Sequence, residues 1–184
     1  DEAPSAARAD WAGAEYGDGT IGGMTDEETL TISLTVNAEH VTRTVPTRQH
    51  LVDFLRIELG LTGSHLGCEH GICGACSVRV DGDVVRGCLM LAAQADSADV
   101  VTIEGLSDTG EIADLQRVFV ERNALQCGYC TPGMLVTAAE LLREGKPMNR
   151  HEIRLFMSGN YCRCTGYQAI IDAIETTLAQ RLAQ

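Results

Sequence analysis

Basic charge is scarce in this chain of 184 residues. Its 14 Lys and Arg stand against 26 Asp and Glu, a net charge of −12 and a pI near 4.7. Phosphate backbones are gripped by clustered Lys and Arg, so nucleic acid is excluded as a partner, and the acidic surface reads as a solvated face. Long apolar runs are missing as well. None approaches the roughly 18–20 residues that cross a bilayer, so no direct membrane span is expected. No basic segment followed by an apolar stretch opens the sequence, so no signal peptide is visible, although the start at Asp1 leaves an export signal upstream open. There is no internal repeat. Hydrophobic residues still make up 45%, enough for one large domain or two small ones without help from metals or disulfides.

Residues 1–26 are rich in Ala, Gly, Asp and Glu without hydrophobic period and are expected to form a flexible tail, with Trp11 and Tyr16 its large aromatic groups. Leu30, Ile32, Leu34 and Val36 alternate with polar residues and predict a strand. Asn37 to His40 is expected to turn the chain into a second strand, Val41 to Val45. Thr47 stands where a helix N-cap is expected, ahead of Leu51, Phe54, Leu55 and Leu59 on one helical face and Gly60 as the stop. The Gly- and Cys-rich stretch from Gly63 to Cys76 predicts a loop. Cys76–Val80 and Val84–Arg86 flank Asp81-Gly82-Asp83 as a hairpin, and Val100–Ile103 makes a further strand. These elements form a small α+β unit over residues 27–105.

The character changes at about residue 106. Ser107 to Gly110 reads as a linker, and helical periods follow: Ile112, Leu115 and Phe119; Met134, Ala138 and Leu141; Ile170, Ile174, Leu178 and Leu182. Asn149 with Glu152, and Thr165 with Gln168, have the offset of capping boxes. An all-α domain of about four helices is expected over residues 106–184.

Eight cysteines fall in two sets. Cys68, Cys73 and Cys76 follow C-x4-C-x2-C, and Cys88 comes after 11 further residues. This is the plant-type [2Fe–2S] spacing, three thiolates from one loop and a fourth from elsewhere. A loop wrapping a compact anion needs torsions that a Cβ forbids, and Gly67, Gly71 and Gly74 are placed to supply them. A disulfide between Cys73 and Cys76 would close too short a loop to stabilise much. Zinc more often takes two C-x2-C pairs.

The second set is Cys127-Gly128-Tyr129-Cys130 and, 31 residues on, Cys162-Arg163-Cys164. A thioredoxin-like dithiol would need a βαβ setting that these helical surroundings do not offer. Zinc and iron–sulfur share these ligands, and chemistry alone leaves both open. Pro132 and Thr165-Gly166 place both pairs at predicted helix N-termini, where partial positive charge favours thiolates. Nothing in the chain has the arrangement of a general base or nucleophile, and no catalytic residue is assigned. His70 lies inside the first cysteine loop, where it could tune a bound cluster; a solvated loop histidine is the plainer reading for it and for His65, and neither is taken as a ligand.

Three runs carry a resemblance: Gly67 to Val78 (GCEHGICGACSV), Gln126 to Met134 (QCGYCTPGM) and Gly159 to Tyr167 (GNYCRCTGY), with Leu51 to Arg56 (LVDFLR) upstream. Together they are similar to the iron–sulfur small subunit of the xanthine dehydrogenase, aldehyde oxidase and carbon monoxide dehydrogenase family of molybdenum hydroxylases. The resemblance spans about residues 28–182. It implies a β-grasp, plant-type ferredoxin-like domain followed by a four-helix-bundle domain. It places one [2Fe–2S] cluster on Cys68, Cys73, Cys76 and Cys88, near the surface. A second falls on Cys127, Cys130, Cys162 and Cys164, buried towards the molybdenum subunit, which decides the second set for iron. Gln126 and Cys164 are implied to lie at the molybdenum–pterin cofactor, with Gly128 and Gly133 permitting close approach.

In such enzymes a large subunit binds the molybdenum–pterin and inserts a water-derived oxygen into substrate. Electrons leave singly through the iron–sulfur subunit towards a medium FAD subunit or an external acceptor. The resemblance therefore implies an electron-transfer subunit, not catalytic alone, in a heteromeric dehydrogenase, expected as a dimer of heterotrimers. Iron–sulfur thiolates suit a reducing cytoplasm. The rival from another class is a stand-alone double-cluster ferredoxin.

Overall fold

A computed structural model describes residues 28–183; the expected tail with Trp11 and Tyr16 lies outside them. The first half is a five-stranded mixed sheet in the order β2-β1-β5-β3-β4. β1 (Thr29–Val36) and β2 (Glu39–Pro46) form the first hairpin in the register Val36↔Glu39. Its turn is only Asn37 and Ala38, both at positive φ, so the expected four-residue turn is two residues shorter and β2 starts earlier. β3 (Ser77–Val80) and β4 (Asp83–Arg86) make the second hairpin, and β5 (Asp99–Val101) runs parallel to β1 and antiparallel to β3. The inward side chains of the alternating strands, among them Ile32, Leu34, Val45, Val78 and Val100, pack on Leu51, Phe54 and Leu55 of helix α1.

α1 begins at Leu51–Asp53 and widens into a π turn over Phe54–Glu58, ending before Gly60 at φ +69°. Thr47 is not its N-cap. The residue before the helix is His50, without a side-chain cap, and the start is held by main-chain bonds instead: Leu51 N–H to Met90 O at 2.7 Å and Val52 N–H to Gly87 O at 3.1 Å.

Five α-helices make the second half: α2 (Ile103–Asp108), α3 (Ala113–Glu121), α4 (Thr131–Glu144), α5 (Arg150–Phe156) and α6 (Gln168–Leu182). The helical half thus holds one short helix more than expected. Ile103 opens α2 instead of ending a strand, and Ser107-Asp108 closes that helix instead of linking domains, because Ile103 and Leu106 are buried in the helical core. That core joins Leu115, Phe119, Met134, Leu141, Ile153, Ile170 and Ile174 from α3 to α6. The Asn149 and Glu152 capping box forms as expected, with Asn149 Oδ1 accepting from His151 and Glu152 and Glu152 accepting from Asn149 N–H. The Thr165 and Gln168 box does not: α6 starts behind Tyr167, at φ +68°, without a side-chain cap.

The halves are welded together. Arg79 forks onto Glu111 at 2.7 and 2.9 Å, Val84 N–H reaches Glu140 at 3.2 Å, and Arg86 donates to Gly159 O at 2.8 Å. At the join a Cβ on Gly133 would stand 2.1 Å from Gly74 O, so the first turn of α4 rests directly on the first cysteine loop. The close approach expected of Gly133 is therefore made to this chain's own backbone.

Candidate iron–sulfur sites

None of the eight cysteines is in a disulfide. They meet two at a time: Cys68 with Cys73, Cys76 with Cys88, Cys130 with Cys162 and Cys127 with Cys164. Cys73 also feels the charge of Cys88, and Cys130 that of Cys127, which groups the pairs into two sets of four. The spacing read from the sequence thus corresponds to spatial groups. Among the described residues no three His, Cys, Asp or Glu converge as a single-metal site requires. Opposed thiol pairs suit a di-iron core, with two ligands per iron, better than one zinc needing four.

The first set rises from the loop before β3. Gly71 and Gly74 take the positive φ expected of them, +75° and +73°. Gly67 serves differently: it is not at positive φ, but a Cβ there would lie 3.1 Å from Cys73 Sγ, so glycine is needed for room. Cys68 Sγ accepts the main-chain N–H groups of Cys73 and His70, each at 3.4 Å. These donors, Cys73 first, pull the Cys68 thiol down to about 6. Cys76 and Cys88 are 2% exposed against Val52 and Leu66, and burial pushes Cys76 up to about 11.

In the second set Cys130 is the residue before α4, with Pro132 in that helix's first turn as the sequence suggested. The second pair is not at a helix N-terminus, since Thr165, Gly166 and Tyr167 separate Cys164 from α6. Thr165 has turned to sulfur: its hydroxyl donates to Cys162 Sγ at 3.1 Å and its N–H at 3.4 Å. Burial acts upward on Cys162, yet these two bonds together with the Cys164 N–H and the Cys130 thiol outweigh it, and its pKa lies below the ordinary value. Burial pushes Cys130 up to about 12. Cys164 is held above its usual range by its contact with Cys127, Sγ to Sγ 3.6 Å. Thiols crowded in pairs, several too buried to ionise alone, form a donor set that a positive di-iron core satisfies.

Each set has two partly exposed thiols, Cys68 and Cys73 in the first and Cys130 and Cys162 in the second. Gln126, Cys127 and Cys164 are exposed, whereas Cys76 and Cys88 are covered. Gly128 takes φ +81° with open space where its Cβ would be, so it supplies a torsion.

Two ties between the cysteine loops carried no local signal in the sequence. Tyr161 N–H donates to Cys73 O at 2.8 Å, beside buried Asn160, whose amide donates to Gly74 O at 3.3 Å. His65 stacks on Tyr129, ring centroids 4.5 Å apart, so it is more than the solvated loop residue expected. His70 is exposed, its main-chain N–H on Cys68.

Two family models match in tandem: a 2Fe-2S iron-sulfur cluster binding domain over residues 34–103 and a [2Fe-2S] binding domain over residues 102–175. The caffeine dehydrogenase subunit gamma of Pseudomonas sp. (strain CBB1) is 51% identical over 148 residues, covering 79% of this chain and 89% of its own. The xanthine dehydrogenase iron-sulfur-binding subunit of Escherichia coli O157:H7 is 39% identical over 159 residues, 82% of this chain and 96% of its own. Quinoline 2-oxidoreductase from Pseudomonas putida 86 contains a chain of the same fold, TM-score 0.79 at 46% identity, matched over 84% of this chain and 96% of that one. With both cluster-binding folds present and relatives matched over nearly their full length, the chain belongs to the two-cluster [2Fe–2S] subunits of the xanthine dehydrogenase family of molybdenum hydroxylases.

Proposed function

We propose that Cys68, Cys73, Cys76 and Cys88 hold one [2Fe–2S] cluster and that Cys127, Cys130, Cys162 and Cys164 hold the other. In this reading the chain relays electrons from a molybdenum–pterin site on a large catalytic subunit to FAD on a medium subunit or to an external acceptor. When bound, each cluster accepts and returns one electron at a time. Everything else is placement and tuning by this chain. Main-chain N–H groups on Cys68, and Thr165 on Cys162, stabilise negative charge at sulfur. Cys76 and Cys88 exclude water from the inner side of the first site. Gln126 and Cys164, both exposed, are assigned to the pterin side. Gly67, Gly71, Gly74 and Gly128 shape the two cradles.

The observation that carries this reading is the Tyr161 to Cys73 hydrogen bond, which links the two thiol sets through main chain. A division into a ferredoxin-like unit over 27–105 and a helical unit over 106–184 is supported, to within a few residues, by family models that meet at 102–103 and by two separate hydrophobic cores. The whole assembly in this reading is a dimer of heterotrimers. Its compartment is the cytoplasm, which keeps thiols reduced. Among the described residues no helix is long and apolar enough to cross a membrane. A stand-alone double-cluster carrier is disfavoured by Leu125, Tyr129, Leu155 and Tyr161, large apolar groups exposed on the helical half that also bears the exposed thiols Cys127 and Cys164.

Purification of the native complex tests this. The chain is expected to travel with a larger pterin-bearing subunit and to carry about four irons, as two clusters require. A chain that elutes alone with both clusters would replace the relay by the stand-alone carrier.

A further inference from the structure

Tyr129 is the residue between Gly128 and Cys130, at the heart of the second cysteine set, yet its ring leaves that set and lies on the first. It is 49% exposed, so burial does not hold it there. Three contacts do. The ring stacks on the imidazole of His65 at 4.5 Å with the planes 22° apart. The phenol O–H donates to Leu66 O at 2.8 Å. His65 Nδ1 lies 2.7 Å from Tyr129 O, and because a carbonyl only accepts, Nδ1 carries the hydrogen. His65 is itself anchored, its N–H on Ala75 O at 3.1 Å. Where these contacts end, a Cβ on Gly67, the neighbour of Cys68, would lie 3.7 Å from Tyr129 Cε1.

We infer that His65 is a positioning residue for electron exchange between the two clusters: with Tyr129 it forms a strut that sets the spacing between the Cys68 loop and the Cys127–Cys130 arm. The inference rests on the ligand assignment proposed above. The Cys162 arm is already tied to the first loop through Tyr161 and Asn160. Without His65 the Cys127–Cys130 arm still has the Tyr129 hydroxyl bond beside it, while the helix behind it stays seated through Gly133 on Gly74 and Glu140 on Val84 N–H. A hydrogen bond and a ring stack on a half-exposed side chain are small terms, so their loss should loosen the arm and leave the fold standing.

The test uses the assembled holoenzyme with His65→Ala and His65→Asn. Iron content is measured first, then the magnetic interaction between the two reduced centres by electron paramagnetic resonance, then the rate of electron exchange between them after rapid reduction. His65→Ala is expected to keep about four irons. It should weaken the magnetic interaction and slow exchange about fivefold, the equivalent of about 1 kcal/mol. Asn carries an N–H close to the position of Nδ1, so His65→Asn should recover part of both. His65→Ala with full iron and unchanged interaction and rate overturns the inference while leaving the ligand assignment intact. A single centre in the unsubstituted enzyme overturns both. Should His65→Ala lose iron, His65→Asn decides by the same readouts, since it keeps an N–H for Tyr129 O and removes the ring stack. Unchanged values there overturn the inference, and a weakened interaction supports it.

Discussion

The main-chain N–H of Tyr161 and the carbonyl of Cys73 lie 2.8 Å apart, and the next residue after Tyr161 is Cys162. One hydrogen bond therefore joins the carbonyl of a first-set cysteine to the residue next to a second-set cysteine, although the two cysteines lie far apart in sequence. The geometry depends on Asn160, 2% exposed. Its carbonyl oxygen accepts from Thr137 at 3.1 Å and from Arg86 at 3.3 Å, while its amide donates to Gly74 O. Asn160→Ala leaves those groups short of a partner in a buried place and is expected to destabilise the folded chain by about 2 kcal/mol. Urea denaturation of the cluster-loaded protein measures this.

Thr165 is where local propensity gives way to chemistry. A threonine three residues before a glutamine normally caps a helix, but its hydroxyl here donates to Cys162 Sγ. A donor on a ligand sulfur favours the more negative, reduced state. Thr165→Val should therefore lower one reduction potential and leave the other in place. The expected shift is about 40 mV, equivalent to about 1 kcal/mol in a one-electron step. Potentiometric titration followed by electron paramagnetic resonance reads both centres separately.

Gly133 and Gly145 separate two uses of glycine. At Gly145, in the left-handed conformation that ends α4, an added Cβ meets nothing within 4 Å, and Gly145→Ala should cost about 1 kcal/mol in backbone strain. At Gly133 the Cβ would meet a main-chain oxygen at 2.1 Å, and α4 would have to lift off the first cysteine loop. Gly133→Ala should therefore destabilise by about 3 kcal/mol and reduce iron retention, whereas Gly145→Ala should keep full iron. Thermal unfolding with parallel iron analysis compares the two.

Arg181 of α6 forks onto Asp114 of α3 at 2.7 and 2.8 Å and also reaches Glu111 O. The guanidinium bonds hold the Asp114 carboxyl below its ordinary range. A depressed carboxylate pKa stabilises the fold above the unfolded value and loses that contribution as pH falls through the folded one. The pair is partly exposed, so its worth is about 0.5–1 kcal/mol. Asp114→Asn should lower the melting temperature at pH 7, and its deficit against the parent should shrink below pH 4. Melting curves across pH 3–7 check this.

Much of this architecture was legible in the sequence because it is written in short-range patterns. Alternation in Leu30–Val36 marked a strand, the Leu51, Phe54 and Leu55 face marked a helix, and the Cys68–Cys88 spacing marked a four-thiol group that the fold does assemble. What could not be read depends on partners distant in sequence. Thr47 looked like a cap, but α1 is started by the carbonyls of Met90 and Gly87. Ser107 to Gly110 looked like a linker, but burial of Ile103 and Leu106 extends a helix into it. The glycine of Gly133 is explained only by Gly74, and His65 only by Tyr129.

The most direct test removes one ligand from each set: Cys88→Ser in one holoenzyme preparation and Cys130→Ser in another, with paramagnetic centres counted after full reduction. Each is expected to abolish a different signal and leave the other, with iron falling from about four to about two per chain. Two intact signals in either variant would contradict the division of these eight thiols into two cluster sites.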